Sequence, residues 1–197
     1  MSWNHTALTL TLALAIGPGG AAPAATRPGP PEVPAGIEPP AGSSLVLVGH
    51  AVGTQNFICA PAATPTSVDW VFIGPQATLF NRGDQQTLTH FVSRNPFRDD
   101  ALQATWQHSR DTSTVWAARI AGSSDPSYVA PDAIEWLLLE MTGAQVGPTA
   151  GRTLATIRYI QRVHTVGGVK PPADECTVAT INTRRFVPYE ADYYFYQ

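Results

Sequence analysis

From about residue 44 onward, apolar and polar residues alternate with a period of two, and turn-forming residues interrupt the pattern about every ten positions. Side chains of an extended strand point to opposite faces in turn, so this pattern demands strands with one buried and one solvated face. Clear cases are "SLVLVG" (44–49), "TQNFIC" (54–59), "SVDWVFIG" (67–74), "QATLFN" (76–81), "TLTHFVS" (87–93), "TSTVWAARI" (112–120), "TLATIRYIQRVHT" (153–165) and "FVPYEADYYFY" (186–196). Eighteen prolines and sixteen glycines suit a protein of short strands and many turns. The pattern predicts an all-β fold, an antiparallel β-sandwich or barrel of about eight to ten strands. One segment departs from it. In "PDAIEWLLLEMTG" (131–143), Asp132 and Glu135 have capping-box spacing before an apolar run, and Gly143 sits at a helix-stop position. One short helix is expected there.

The N-terminal part is of another kind. "ALTLTLALAIG" (7–17) is an apolar run of signal-peptide length, too short to span a bilayer, and Ala22-Pro23-Ala24 fits a small-residue cleavage site. Residues 1–24 are expected to be a signal peptide, residues 25–44 a Pro/Ala/Gly-rich linker, and residues 45–197 a single β domain. The sequon Asn4-His5-Thr6 would leave with the signal. Export places the protein outside the cell or in the envelope, with no membrane insertion once the signal is removed. In an oxidising compartment an even cysteine count favours a disulfide between Cys59 and Cys176, the alternative being two buried thiols. Two cysteines without partner spacing make a poor zinc site, and no metal or cofactor is expected.

Charge narrows the partners. The formal net charge is −3, charged residues are only 14 % of the chain, and no Lys/Arg-rich run occurs, so a nucleic-acid partner is not expected. "SLVLVGHAVG" opens like a dinucleotide loop, but a third glycine is missing and a strand follows where a helix belongs. No G-x-S-x-G, H-E-x-x-H or P-loop is present. The Arg-Gly-Asp of "NRGDQ" (81–85) reads as a hairpin turn, for which Gly and Asp are ordinary choices.

Candidate site residues come from strand faces. His90 shares a face with Leu88 and Val92 and is expected to point inward as a neutral, hydrogen-bonded core residue. In the final strand, Tyr189, Ala191, Tyr193 and Phe195 form one face, and Glu190, Asp192, Tyr194 and Tyr196 the other. Glu190 and Asp192, two apart on a strand, lie about 7 Å apart along the backbone, a separation that glycosidase acid pairs also use. Aromatic and acidic side chains on one face can also stack on and hydrogen-bond a sugar. His164 alternates in register with Arg158, Ile160 and Arg162, and the two arginines suit an anion or carboxylate better than a cation. With Gly167-Gly168 turning the chain and Cys176 tethering it, Arg162 and His164 are expected to meet Glu190 and Asp192, with Arg162 neutralising a carboxylate.

The blocks "GTQNFIC", "WVFIGPQATLFN", "THF", "IEWLLLE", "IRYIQRVHTVGGVKPPADEC" and "VPYEADYYFY" resemble, in this order, secreted proteins grouped as domain of unknown function 3455. The resemblance spans about residues 45–197. It implies export and a cysteine pair, but no activity and no catalytic residues. The stretch "VSRNPFRDDALQATWQHSRDTS" (92–113) is longer and more charged than that family pattern leads one to expect. The leading expectation is a binding module for a cell-surface glycan or other extracellular polymer, contacted through Arg162, His164, Glu190, Asp192 and Tyr194. The alternatives are a small secreted hydrolase or lyase using Glu190, Asp192 or His164, and a structural extracellular protein.

Overall fold

The computed structural model describes residues 29–62 and 67–197. The expected signal peptide, its cleavage site and sequon, and the first residues of the expected linker lie outside the described residues. Eight strands run in chain order: β1 Leu45–Pro61, β2 Val68–Phe80, β3 Gln86–Asn95, β4 Ala101–His108, β5 Thr114–Ser123, β6 Trp136–Gln145, β7 Tyr159–Gly167 and β8 Arg184–Tyr196. Each pairs antiparallel with its sequence neighbour, and β8 pairs with β1, so the sheet closes into an up-and-down barrel. Closure gives every strand a partner on both sides. The first two expected strands are one continuous β1, the next two are one β2, and the unexpectedly long stretch 92–113 carries β4.

The expected helix over 131–143 is not formed; the segment enters β6, and the helical turns among the described residues are Ala173–Glu175 and Val178–Thr180. The physical reason lies on both sides of the strand. Leu137 and Leu139 point into the barrel beside Trp106, Ile160 and Phe195. Trp136 and Leu138 point outward, yet they are also buried, against Ile37, Val129, Val163 and Tyr196. A strand covered on both faces reads as an unbroken apolar run, and periodicity cannot separate that from a buried helix.

The outer cover includes part of the segment expected as linker. Ile37 is 1 % exposed, and its carbonyl accepts a 2.7 Å hydrogen bond from Gln161 Nε2. Gln161 Oε1 in turn accepts from the Tyr196 hydroxyl at 2.6 Å. A buried amide is thereby fully used to fasten the Pro-rich segment to β7 and β8.

The two barrel ends differ. At one, Leu154 and Ile157 turn inward and complete the apolar core. Their segment is held by Asp111, whose carboxylate accepts from the backbone N–H and hydroxyl of both Ser113 and Thr153. Burial pushes the Asp111 carboxyl up, but these four hydrogen bonds outweigh it and hold it well below the usual carboxylate range. At the other end β1, β2 and β8 project beyond the barrel and pack Phe57, Trp70 and the Cys59–Cys176 disulfide into a second small core. The disulfide, Cα atoms 5.4 Å apart across 117 residues of chain, pins the loop between β7 and β8 to this extension. In the chain-entropy account a loop of that length contributes about 4–5 kcal/mol.

Two outcomes follow from this packing. Ile37→Ala should destabilise the domain by about 2–4 kcal/mol and red-shift tryptophan emission as Trp136 is uncovered; an unchanged denaturation midpoint would show that the segment is merely resting on the barrel. Asp111→Ala should cost about 1–3 kcal/mol at neutral pH. Because the folded-state pKa of Asp111 is depressed, its contribution is complete above the unfolded value of about 3.9 and is lost as pH falls below it. The midpoint of the Asp111→Asn variant should therefore fall less steeply than wild type through the acid range.

Candidate functional site

The face assignment of β8 read from alternation holds: Tyr189, Ala191, Tyr193 and Phe195 are inside, and Glu190 and Asp192 are outside. Across the closing β1–β8 seam, His50 stands opposite Asp192 and Val52 opposite Glu190. Directly opposed residues of an antiparallel pair share a face, which brings His50 onto the acidic outer surface. Its Nδ1 lies 2.9 Å from Asp192 Oδ1, and its Nε2 lies 3.7 Å from Glu190 Oε2. His164 Nδ1 approaches the other oxygen, Asp192 Oδ2, also at 2.9 Å. One carboxylate is thus shared by two imidazoles. A carboxylate can only accept, so each imidazole turns an Nδ1–H toward Asp192 and keeps its Nε2 for another partner. Both histidine side chains are about half exposed, at 50 % and 48 %.

His164 reaches this position through an irregularity in β7. Ile160 points inward and Val163 outward, as alternation requires. The register with β8 then slips between Val163 and Val166, and His164 adopts a left-handed backbone with φ 50°. Two successive side chains, Val163 and His164, therefore face outward, while Thr165 is buried and its hydroxyl donates to the Ile134 carbonyl. Such a bulge re-aims a side chain. Here it sets His164 against Asp192, with the edge of Trp136 5.1 Å away.

The same bulge separates His164 from Arg162. Simple alternation puts Arg162 on the His164 face, neutralising Glu190 or Asp192; instead it lies opposite Tyr193 and Leu137, both inward residues, and its Nη2 donates to the Glu135 carbonyl at 3.0 Å. His50 is the residue that meets both carboxylates. It is 142 positions from Asp192, and only the outward rank of Val46, Val48, His50 and Val52 in β1 hinted at it. Tyr194 is outward but only 8 % exposed, packed beneath the outer cover, so it offers an edge rather than an open stacking face.

Beside this cluster runs a groove of about 790 Å³. Its walls are the outward β1 valines, Asp192, Tyr194 and the Asn81–Asp84 turn. That turn is built as expected, with Asn81 Oδ1 accepting from the backbone N–H groups of Gly83 and Gln85. Among the described residues no group of three His, Cys, Asp or Glu side chains is arranged to hold a metal ion.

The barrel interior carries a second polar group. His90 is 4 % exposed, stacks on Trp106 with ring centroids 4.1 Å apart, and donates from Nδ1 to the Thr105 carbonyl. Burial lowers its pKa to about 3, so the ring is neutral, the core role its strand face implied. The hydroxyls of Tyr189 and Tyr193 meet at 3.4 Å, and burial pushes both phenols up.

No curated protein and no solved structure shows a match to this chain. A family model described as "Protein of unknown function (DUF3455)" matches residues 40–197, which include every strand of the barrel and both groups of polar side chains. The chain belongs to the DUF3455 family.

Proposed function

We propose that this domain is an exported binding protein that contacts a polyhydroxylated ligand, a cell-surface glycan, through the outer face of β1 and β8. The observation that carries the reading is His164, held in a left-handed backbone with its ring against the Asp192 carboxylate that His50 also shares. A non-glycine residue in that conformation costs about 1–3 kcal/mol, whereas exposed ion pairs return about 0–1 kcal/mol. Stability alone is a poor reason to keep such an arrangement.

The chemistry suits sugar hydroxyls. Asp192 and Glu190 accept hydrogen bonds, the Nε2 of His164 is left for a hydroxyl, and the adjoining valines offer apolar surface to the C–H face of a pyranose ring. The groove is open along the outer face of β1, which favours a polymer over a small molecule. A second reading rests on the same 2.9 Å contact: an imidazole oriented by a carboxylate at Nδ1 is also the arrangement of a general base. A hydrolase or lyase would use His164 in that role with Glu190 or Asp192 beside it.

A glycan array probed with the purified protein, run beside a hydrolase panel, separates the readings. Glycan binding should appear without turnover. His50→Ala and Asp192→Asn should each weaken it by roughly tenfold or more while the melting temperature stays within a few degrees. Turnover abolished by His164→Ala would replace binding with catalysis, and an array without any hit would remove the glycan.

A further inference from the structure

The barrel interior holds a part-buried guanidinium that no carboxylate pairs with among the described residues. Arg162 is directed inward, and among the described residues the Arg and Lys ion pairs are Arg119–Glu135, Lys170–Asp69 and Arg185–Glu175, none of which involves it. Its Nη2 donates to the Glu135 carbonyl, its guanidinium also hydrogen-bonds the Tyr193 side chain, and its charge is felt by His90 and Tyr189, both buried. Its Nε is shielded from solvent and donates to nothing.

Two more buried donors share that predicament. Trp106 Nε1 and Gln55 Nε2 have no acceptor, although Trp106 is fully buried and Gln55 is 4 % exposed. Both belong to the same interior. The Trp106 ring lies 5.6 Å from Tyr193, which stands opposite Arg162 in the sheet. Gln55 and Tyr189 crowd together against Gly168, and the Tyr189 hydroxyl meets that of Tyr193. The neighbouring His90 is no counter-ion, since an imidazole carries no negative charge, and its Nδ1 is committed to Thr105. An unpaired buried donor costs about 1–3 kcal/mol, and an unpaired buried charge costs more. Two such donors, with the Arg162 Nε as a third, belong to one interior and have no acceptor.

There is a way in. β2 and β3 pair only from Ala77–His90 to Phe80–Gln86, and beyond this the two strands part. The parting leaves a cleft of about 700 Å³ that reaches His90, between Gly53 and Ala77 on one side and Val92 on the other. Gly53 has to be glycine, since a Cβ there would stand 2.1 Å from the Gln76 carbonyl oxygen. The cleft therefore ends at His90, the ring stacked on Trp106.

We propose that the barrel interior is a binding site for a small organic carboxylate, which enters between β2 and β3 and is held by Arg162 with Trp106 and Gln55 donating to its oxygens. A single guanidinium matches a monoanion; a phosphate dianion would bury one charge uncompensated, and a neutral ligand would leave the cation unpaired. The aromatic walls of Trp106, Tyr193 and His90 suit a flat or short apolar body behind the carboxylate. This site is separate from the outer face and stands or falls without it.

The test is titration of the purified protein with sodium benzoate and sodium acetate, followed by calorimetry and tryptophan emission, with benzamide and inorganic phosphate as comparisons. Benzoate should bind, raise the melting temperature and change the emission of Trp106. Benzamide and phosphate should bind at least roughly tenfold more weakly. Arg162→Gln should lose roughly thirtyfold or more in benzoate affinity. Trp106→Phe, which keeps an aromatic ring but removes the N–H, should lose roughly two- to tenfold and keeps the test alive if the arginine variant does not fold. The proposal fails if neither carboxylate binds wild type by about 10 mM, a range that reaches the weakest affinities worth calling a site. It fails equally if benzamide or phosphate binds as well as benzoate, or if a folded Arg162→Gln binds benzoate normally.

Discussion

The pairing of β8 with β1, from Leu45 opposite Tyr196 to Ile58 opposite Arg184, closes the sheet, and the other features rest on that closure. A strand's outer hydrogen-bonding edge is stable only when something pairs with it. Here the first and last strands of the domain complete each other, so the ring has an inside and an outside, and each position on each strand is assigned to one of them. The inside is filled by Leu79, Leu88, Trp106, Ile160 and Phe195, with Leu154 and Ile157 closing one end. The closing seam is also where His50 meets Asp192, so the contact that completes the fold assembles the outer polar cluster as well.

Two departures from regular β geometry give the barrel its chemistry. The bulge in β7 lets Arg162 and His164, two residues apart, serve opposite sides of one sheet. A regular strand would have put both on one face, and either the interior would have lost its cation or the outer cluster its second imidazole. Where β2 and β3 cease to pair, a cleft reaches the buried His90. Each departure leaves a polar group in a place that regular pairing would not provide. The Cys59–Cys176 bridge and the Asp111 hydrogen bonds hold the loops around these features, at opposite ends of the barrel.

Much of the architecture was legible in the chain. The alternation in β8 placed eight consecutive side chains correctly, His90 was inward, the Asn81–Asp84 segment was a turn, and the two cysteines were partners. Of the expected site, His164, Glu190 and Asp192 lie on one outer face, Tyr194 lies largely beneath the cover, and Arg162 is inside. His50 was not anticipated. Nothing local distinguishes it from any polar residue on a solvated strand, because its partners are fixed by a register set across the whole length of the domain.

The sequence by itself determined the class of fold, the inward and outward faces wherever alternation is strict, and the bridge that an even cysteine count implies. Those properties are local or statistical: a strand's period is two whatever it packs against. Tertiary structure alone decided that 136–145 is a strand, because its outer apolar face is explained only by Ile37 and Val129 lying over it. It also decided that His164 and Arg162 serve opposite sides of the sheet, since the bulge at His164 breaks the alternation that carries Ile160 and Arg162 inward. Both outcomes depend on contacts between residues far apart in sequence, and periodicity, a property of neighbours, carries no information about them.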